Sequence, residues 1–243
     1  MPSAPIALVT GSTRGIGAAI ATALELRGMT VIGHGSKRGG AEKQTNTIGA
    51  DFAEPSAPQA LWEEALERSG GRIDILVNNA GLFATNPLDA SDIAWLDAWE
   101  DTQRINLTSA AQLCRFAVRK WLAEKSGGRI VNIASRAAHR GDSPDHWHYA
   151  AAKAGMVAMT KTIARAYAAK GVLAFAVCPG FTDTAMADDY LATRGGPGLV
   201  ADIPLGRVAT PDEIATIAAF AALDAPPSMT GAVLDANGAS YVR

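Results

Sequence analysis

Cysteine is scarce, long apolar runs are missing and neither sign of charge is in surplus; each shortage closes off a class of function. The two cysteines of this 243-residue chain, Cys114 and Cys178, stand in apolar surroundings, Gln112-Leu-Cys-Arg-Phe116 and Phe175-Ala-Val-Cys-Pro179, without metal-ligand spacing. They read as buried free thiols, and neither a disulfide framework nor a resident metal is expected. With 22 basic and 24 acidic residues well mixed, the formal charge of -2 offers no broad basic field, so neither nucleic acid nor an anionic membrane is an expected partner. No run reaches the roughly eighteen apolar residues of a spanning helix. The N-terminus enters an apolar strand by Ile6 without a basic leader region, which makes a cytoplasmic protein the expectation. Linkers, charge runs and repeats are also lacking; Arg194-Gly-Gly-Pro-Gly198 and Ala225-Pro-Pro227 read as loops, so residues 1–243 are expected to form one domain.

What is present is alternation. Short apolar runs, Ile6 to Thr10, Thr30 to His34, Ile73 to Val77, Gly128 to Ile133 and Val172 to Val177, read as strands buried on both faces. Between them lie helical patterns over Gly15 to Gly28, Pro55 to Ser69, Asp92 to Lys125, Tyr149 to Lys170 and Pro211 to Leu223. Strand and helix in alternation predict a doubly wound parallel sheet of Rossmann type, an α/β single domain closed by a last strand near Ala232 to Asp235. In such sheets ligands bind beyond the carboxyl ends of the strands. The segment Tyr149 to Ala169 is rich in Ala and Gly and has no clear polar stripe, so it is expected to be covered on two sides, by its own sheet and by a symmetry mate.

Three groups of residues at those strand ends carry chemistry. Gly11, Gly15 and Gly17, in Thr10-Gly-Ser-Thr-Arg-Gly-Ile-Gly17, join the first strand to a helix start, where unpaired N–H groups and the helix dipole attract a pyrophosphate. Glycine is needed there because a Cβ would block the approach. Tyr149 and Lys153 are i and i+4 on a predicted helix, and therefore share a face. A phenol of unperturbed pKa about 10 that must give up a proton near neutrality needs a nearby cation, and Lys153 is placed to be one. Ser135 precedes the pair at the end of a strand.

Thr10-Gly11-x-x-x-Gly15-Ile16-Gly17, Asn78-Asn79-Ala80-Gly81, Ser135, Tyr149-x-x-x-Lys153 and Pro179-Gly180 occur in the order found in the short-chain dehydrogenase/reductase family, which the chain resembles along nearly its whole length. Arg14, Pro179-Gly-Phe181 and the ending Thr230-Gly-Ala-Val-Leu-Asp-Ala-Asn-Gly238 make it most similar to the 3-oxoacyl-[acyl-carrier-protein] reductase-like group. The resemblance implies hydride transfer between a nicotinamide and a carbonyl/alcohol pair, with Tyr149 as proton donor, Ser135 holding the carbonyl oxygen, Lys153 lowering the phenol pKa and binding ribose, and Asn106 holding a water of a proton relay. It further implies cofactor contacts from Gly11, Thr13, Arg14, Gly15, Ile16, Gly17, Ser36, Asp51, Phe52, Asn78, Ala80, Gly81, Pro179, Gly180, Thr182 and Thr184, besides Tyr149 and Lys153. The expected partners are a small-molecule carbonyl or alcohol and further copies of the chain, as a tetramer or dimer.

Charge argues for the cofactor. An NAD enzyme ends its second strand on a carboxylate that binds the ribose 2′-hydroxyl. This strand ends His34-Gly35-Ser36-Lys37-Arg38, so NADP(H) is preferred over NAD(H). The chain departs from the family between that strand and Asp51, where Gly39 to Thr45 replaces a helix, and in the Gly141 to His148 loop, where His146, Trp147 and His148 crowd Tyr149 and are candidates for shaping the substrate pocket. The apolar Gly171 to Val177 stands where the family has a more polar sequence and implies a repacked core. An oxidative alcohol, sugar or steroid dehydrogenase would use the same residues; a non-catalytic dinucleotide sensor would have no need of Asn106, Ser135, Tyr149 and Lys153 together.

Overall fold

The computed structural model describes residues 4–36, 46–184 and 196–243. Its elements in chain order are β1 Ile6–Val9, α1 Gly15–Leu26, β2 Thr30–Gly35, β3 Thr47–Gly49, α2 Ala57–Arg68, β4 Ile75–Asn78, α3 Asp92–Gln103, α4 Ser109–Glu124, β5 Gly128–Ile133, α5 Ala137–Arg140, α6 Trp147–Tyr167, β6 Val172–Pro179, α7 Gly196–Ala201, α8 Pro211–Ala219 and β7 Val233–Ala236. Seven strands pair in the order β3-β2-β1-β4-β5-β6-β7, every pair parallel. The chain winds outward from β1 to β3, returns to β4 beside β1 and winds the other way, so the crevice between β1 and β4 is the switch point at which such sheets bind ligands.

Successive strand residues face opposite sides, and each side has its own core. Ala7, Val9, Val31, Val77, Val131 and Phe175 pack against Ile20 and Leu24 of α1 and Ile214 and Ala218 of α8. Leu8, Ile32, Ile48, Leu76, Ile130 and Ala174 pack against Leu61 of α2, Leu113 and Trp121 of α4 and Ile163 of α6. Burying an aliphatic side chain of this size contributes about 1.5–3 kcal/mol, which is what fixes the register of every strand. Helix starts follow local chemistry: Thr210 and Glu213 close a reciprocal capping box before Pro211 opens α8, and the Ser91 hydroxyl accepts from the Ala94 N–H at the start of α3.

Two expectations are corrected. The helix read over Asp92 to Lys125 is two helices joined by a π-turn at Arg104–Thr108. The break sits at Asn106, whose amide is committed elsewhere, as described below. Residues Arg194 to Gly198, read as a loop, overlap α7; proline is tolerated in a first helical turn because the N–H it lacks would have no partner there and its fixed φ suits a helix start. In α6, Ala152, Met156, Val157 and Ile163 are buried while Ala151, Ala158, Thr162 and Ala166 are exposed, so the chain itself covers one side only. Lys37, Arg38, the Gly39 to Thr45 segment and the stretch after Thr184 lie outside the described residues. No helix among the described residues is long and apolar enough to cross a membrane.

Candidate active site

The loop after β1 is built for close approach. Gly11 has φ +65, and a Cβ there would stand 2.9 Å from the Ala80 Cα; on Gly17 it would stand 2.1 Å from the Gly11 carbonyl oxygen. Asn79 stitches this loop to the end of β4, its Nδ2 donating to the carbonyls of Thr10 (3.0 Å) and Gly11 (3.1 Å), while Thr10 Oγ1 accepts from the N–H groups of Asn79 (2.9 Å) and Ala80 (3.0 Å). Helix α1 begins without a side-chain cap and without an acid in its first turn. Its leading N–H groups and dipole are therefore open to an anion.

From this loop a cleft of about 480 Å³ runs to Tyr149. Gly11, Thr13, Arg14, Gly15, Ile16, Gly17, Ser36, Asp51, Phe52, Ala80, Gly81, Ser135, Tyr149, Lys153, Pro179, Gly180, Thr182 and Thr184 all line it. Asn78 does not: it is 2% exposed and donates through Nδ2 to Asn132 Oδ1 (2.8 Å) and Cys114 Sγ (3.2 Å) within the core. The strand's alternation sends its side chain away from the cleft, and a cofactor contact through that side chain is thereby corrected to a packing role. An uncapped helix start, glycines where a Cβ has no room and polar groups along an elongated cleft fit a dinucleotide.

His34 braces the same end and was missed by sequence reasoning. Gly11 N–H donates to its Nδ1 (3.1 Å), its Nε2 pairs with the Ala50 carbonyl (2.8 Å), and its ring stacks on Phe52 at 4.3 Å. The Gly11 donor fixes the neutral tautomer with the proton on Nε2, and burial holds the imidazole pKa below its usual value. A histidine ending an otherwise apolar buried strand was the available signal.

At the other end Ser135 follows β5, Tyr149 stands in the first turn of α6 and Lys153 lies one turn further along. Burial pushes the Tyr149 phenol up to about 12, an effect that the neighbouring Ser135 opposes in part. Burial pushes Lys153 down to about 8, and its Nζ donates to the Ile133 carbonyl (2.9 Å) while lying 5.8 Å from the centre of the Tyr149 ring. The expected depression of the phenol by Lys153 does not appear in this structure, where desolvation sets the direction of the shift. Asn106, wholly buried in the π-turn, clamps the Leu82 backbone: Oδ1 accepts from its N–H (2.6 Å) and Nδ2 donates to its carbonyl (2.8 Å). A π-turn at a functional position is a recurrent feature of helices, and here it delivers the amide beside Gly81.

Of the loop residues expected to crowd Tyr149, Trp147 is 54% exposed and turns edge-on to Trp95 of α3, outside the cleft lining, and His148 is buried. His146 acts at one remove, stacked at 4.1 Å on Phe83, which meets the Tyr149 ring edge-on at 4.8 Å. Phe83 and Phe181 line the cleft; Phe83 had no signal in the sequence beyond being aromatic, and Phe181 was read only as part of Pro179-Gly-Phe181. Arg136 is buried over the Phe181 ring at 4.5 Å and hydrogen-bonds Ser240, so it is a packed group and not part of a solvated basic patch; Arg140 is exposed. The arrangement can deliver a proton and hydrogen bonds to a carbonyl oxygen at the end of a dinucleotide cleft.

Comparison with known proteins agrees with that chemistry. The family model described as enoyl-(acyl carrier protein) reductase matches residues 11–238. The chain is 37% identical to the 3-oxoacyl-[acyl-carrier-protein] reductase FabG of Salmonella typhimurium over 98% of this chain and 97% of the relative. It is 36% identical to the Escherichia coli protein of that name with the same coverage. The fold superposes on a variant of actinorhodin polyketide ketoreductase with NADPH at TM-score 0.86 and 28% identity, covering 97% of this chain and 96% of that one. The chain therefore belongs to the short-chain dehydrogenase/reductase family, oxidoreductases of carbonyl and hydroxyl groups, and is 3-oxoacyl reductase-like within it.

Proposed function

We propose that the protein is an NADPH-dependent ketoreductase that delivers a hydride to a ketone or a 3-oxoacyl thioester. The observation that carries the reading is that Ser135, Tyr149 and Lys153, the last one helical turn from Tyr149, line one end of the cleft that begins at the glycine loop. The names of the curated relatives point to 3-oxoacyl groups, and the superposed ketoreductase was determined with NADPH. Bound nicotinamide would supply the hydride. Tyr149 gives its proton to the carbonyl oxygen as negative charge builds there, and Ser135 donates a hydrogen bond that holds this oxygen in place. Lys153 would supply the cation that stabilises the phenolate and would bind the ribose hydroxyls, and Asn106, its amide spent on the Leu82 backbone, holds that turn. Gly11 to Gly17 would hold the pyrophosphate, Asp51 and Phe52 the adenine end, and Pro179, Gly180, Thr182 and Thr184 the nicotinamide amide and the diphosphate.

The preference for the 2′-phosphate form rests on β2 ending in Gly35 and Ser36 without a carboxylate, with Arg14 lining the same cleft. The exposed small-residue face of α6 supports pairing of two copies, in a dimer or tetramer. A panel of acetoacetyl thioesters, cyclic ketones, sugars and steroids, followed by NADPH absorbance, tests the reading. Turnover of 3-oxoacyl thioesters or ketones is expected. Tight NADPH binding with no turnover on any of them would replace it with a sensor.

A further inference from the structure

Behind Ser135, on the side of β6 away from the glycine loop, three metal-ligating side chains from three elements converge. His139 comes from the last turn of α5, Cys178 from the end of β6 and Asp235 from β7. Their donor atoms lie within 4.8 Å of one another, with Cys178 Sγ 3.7 Å from His139 Nε2. A tetrahedral zinc ion with Zn–S near 2.3 Å and Zn–N near 2.0–2.1 Å places those two donors about 3.5 Å apart. From these donors we propose that His139, Cys178 and Asp235 form a binding site for one Zn²⁺ ion.

The donor set selects the metal. Thiolate, imidazole and carboxylate together suit zinc, whereas magnesium and calcium take oxygen ligands. The thiolate and the carboxylate bring two negative charges to the dication, the carboxylate being shared with Arg243, and the thiol proton leaves to solvent on binding. The surroundings are those of a supported site. His139 stacks on Tyr241 at 5.9 Å, and Arg243 Nε donates to Asp235 Oδ2 (2.9 Å), which anchors one oxygen of the carboxylate. Cys178 is fully buried and Asp235 exposed, so an ion enters from the Asp235 side. A fourth position would be filled by water.

The consequence for the site in front is mechanical. Cys178 precedes Pro179 and Gly180 of the cleft, and His139 ends the short helix that follows Ser135. An ion bound to both would tie the turn that carries Ser135 to the strand that carries the nicotinamide loop. Sequence spacing gave no sign of it, because the ligands lie far apart along the chain and only the β6–β7 pairing and the Ser135 turn bring them together.

The test uses untagged full-length protein stripped with chelator and titrated with Zn²⁺ and, as a spectroscopic probe, with Co²⁺. About one ion per chain, a raised melting temperature and a thiolate-to-cobalt charge-transfer band in the near ultraviolet are expected. Cys178→Ala should lose the band, and His139→Gln, a change on a partly exposed position, should weaken binding at least about tenfold. Sub-stoichiometric uptake, a cobalt spectrum without the thiolate band, or unchanged affinity in His139→Gln would overturn the proposal. NADPH turnover measured without metal reads the proposed function separately.

Discussion

The two ends of the cleft are built by different means. The glycine-loop end is held by main-chain geometry and packing: Gly11 and Gly17 where a Cβ has no room, Asn79 and Thr10 stitching two strand ends, and a neutral His34 bridging Gly11 to Ala50. The catalytic end is held by desolvated titratable side chains, with Tyr149 pushed up and Lys153 pushed down by burial. Damage to the first should therefore appear as lost cofactor affinity and stability, and damage to the second as lost turnover and a changed pH profile.

The sharpest division comes from Ser135→Ala, which is expected to lower kcat by about 10²–10³ while leaving NADPH affinity within a factor of a few; stopped-flow binding and steady-state rates read both. A comparable loss of NADPH affinity would break the separation. Gly17→Ala should act oppositely. Its Cβ meets the Gly11 carbonyl, so the loop must shift, at a cost of about 1–3 kcal/mol read as weaker NADPH binding and a lower melting temperature.

The pH profile separates the ends further. With Lys153 near 8, its charge is complete below that pH and lost above it, so the reduction rate is expected to hold through neutrality and fall by about tenfold per unit well above pH 8. Tyr149, near 12 without ligand, stays protonated across that range. A rate that rises with pH would contradict the assignment of Lys153. The smallest effect belongs to His34, whose pKa is lowered by folding. The stability it confers is complete above the unfolded value of about 6.5 and is lost as pH falls from there towards the folded pKa. His34→Leu should abolish this part of the acid dependence in thermal melts, and an unchanged profile would show that the bridge contributes nothing.

The alternation of apolar runs with helical patterns carried the sheet, its parallel sense and its two cores, because hydrophobic periodicity and burial are the same physical fact seen twice. The glycine loop, Ser135, Tyr149 and Lys153 were legible for a similar reason: each lies at a strand end or on one helix face, where local spacing fixes direction. Asn78 supports the central sheet through Asn132, and only its cofactor contact was misread, because motif position does not say to which side of a strand a side chain points. Phe83 carried no sign of its place, and His34 and Phe181 could be picked out without their contacts being legible, because their roles come from neighbours distant in sequence. Trp147 shows the converse, being adjacent to Tyr149 in the chain yet directed towards α3.

The most direct test of the account is NADPH oxidation with an acetoacetyl thioester by the wild-type protein and by Tyr149→Phe, beside NADPH binding to each. The account predicts turnover by the first, a loss of about 10²–10⁴ in the second, and nearly equal NADPH affinity. Substantial residual turnover in Tyr149→Phe would contradict it.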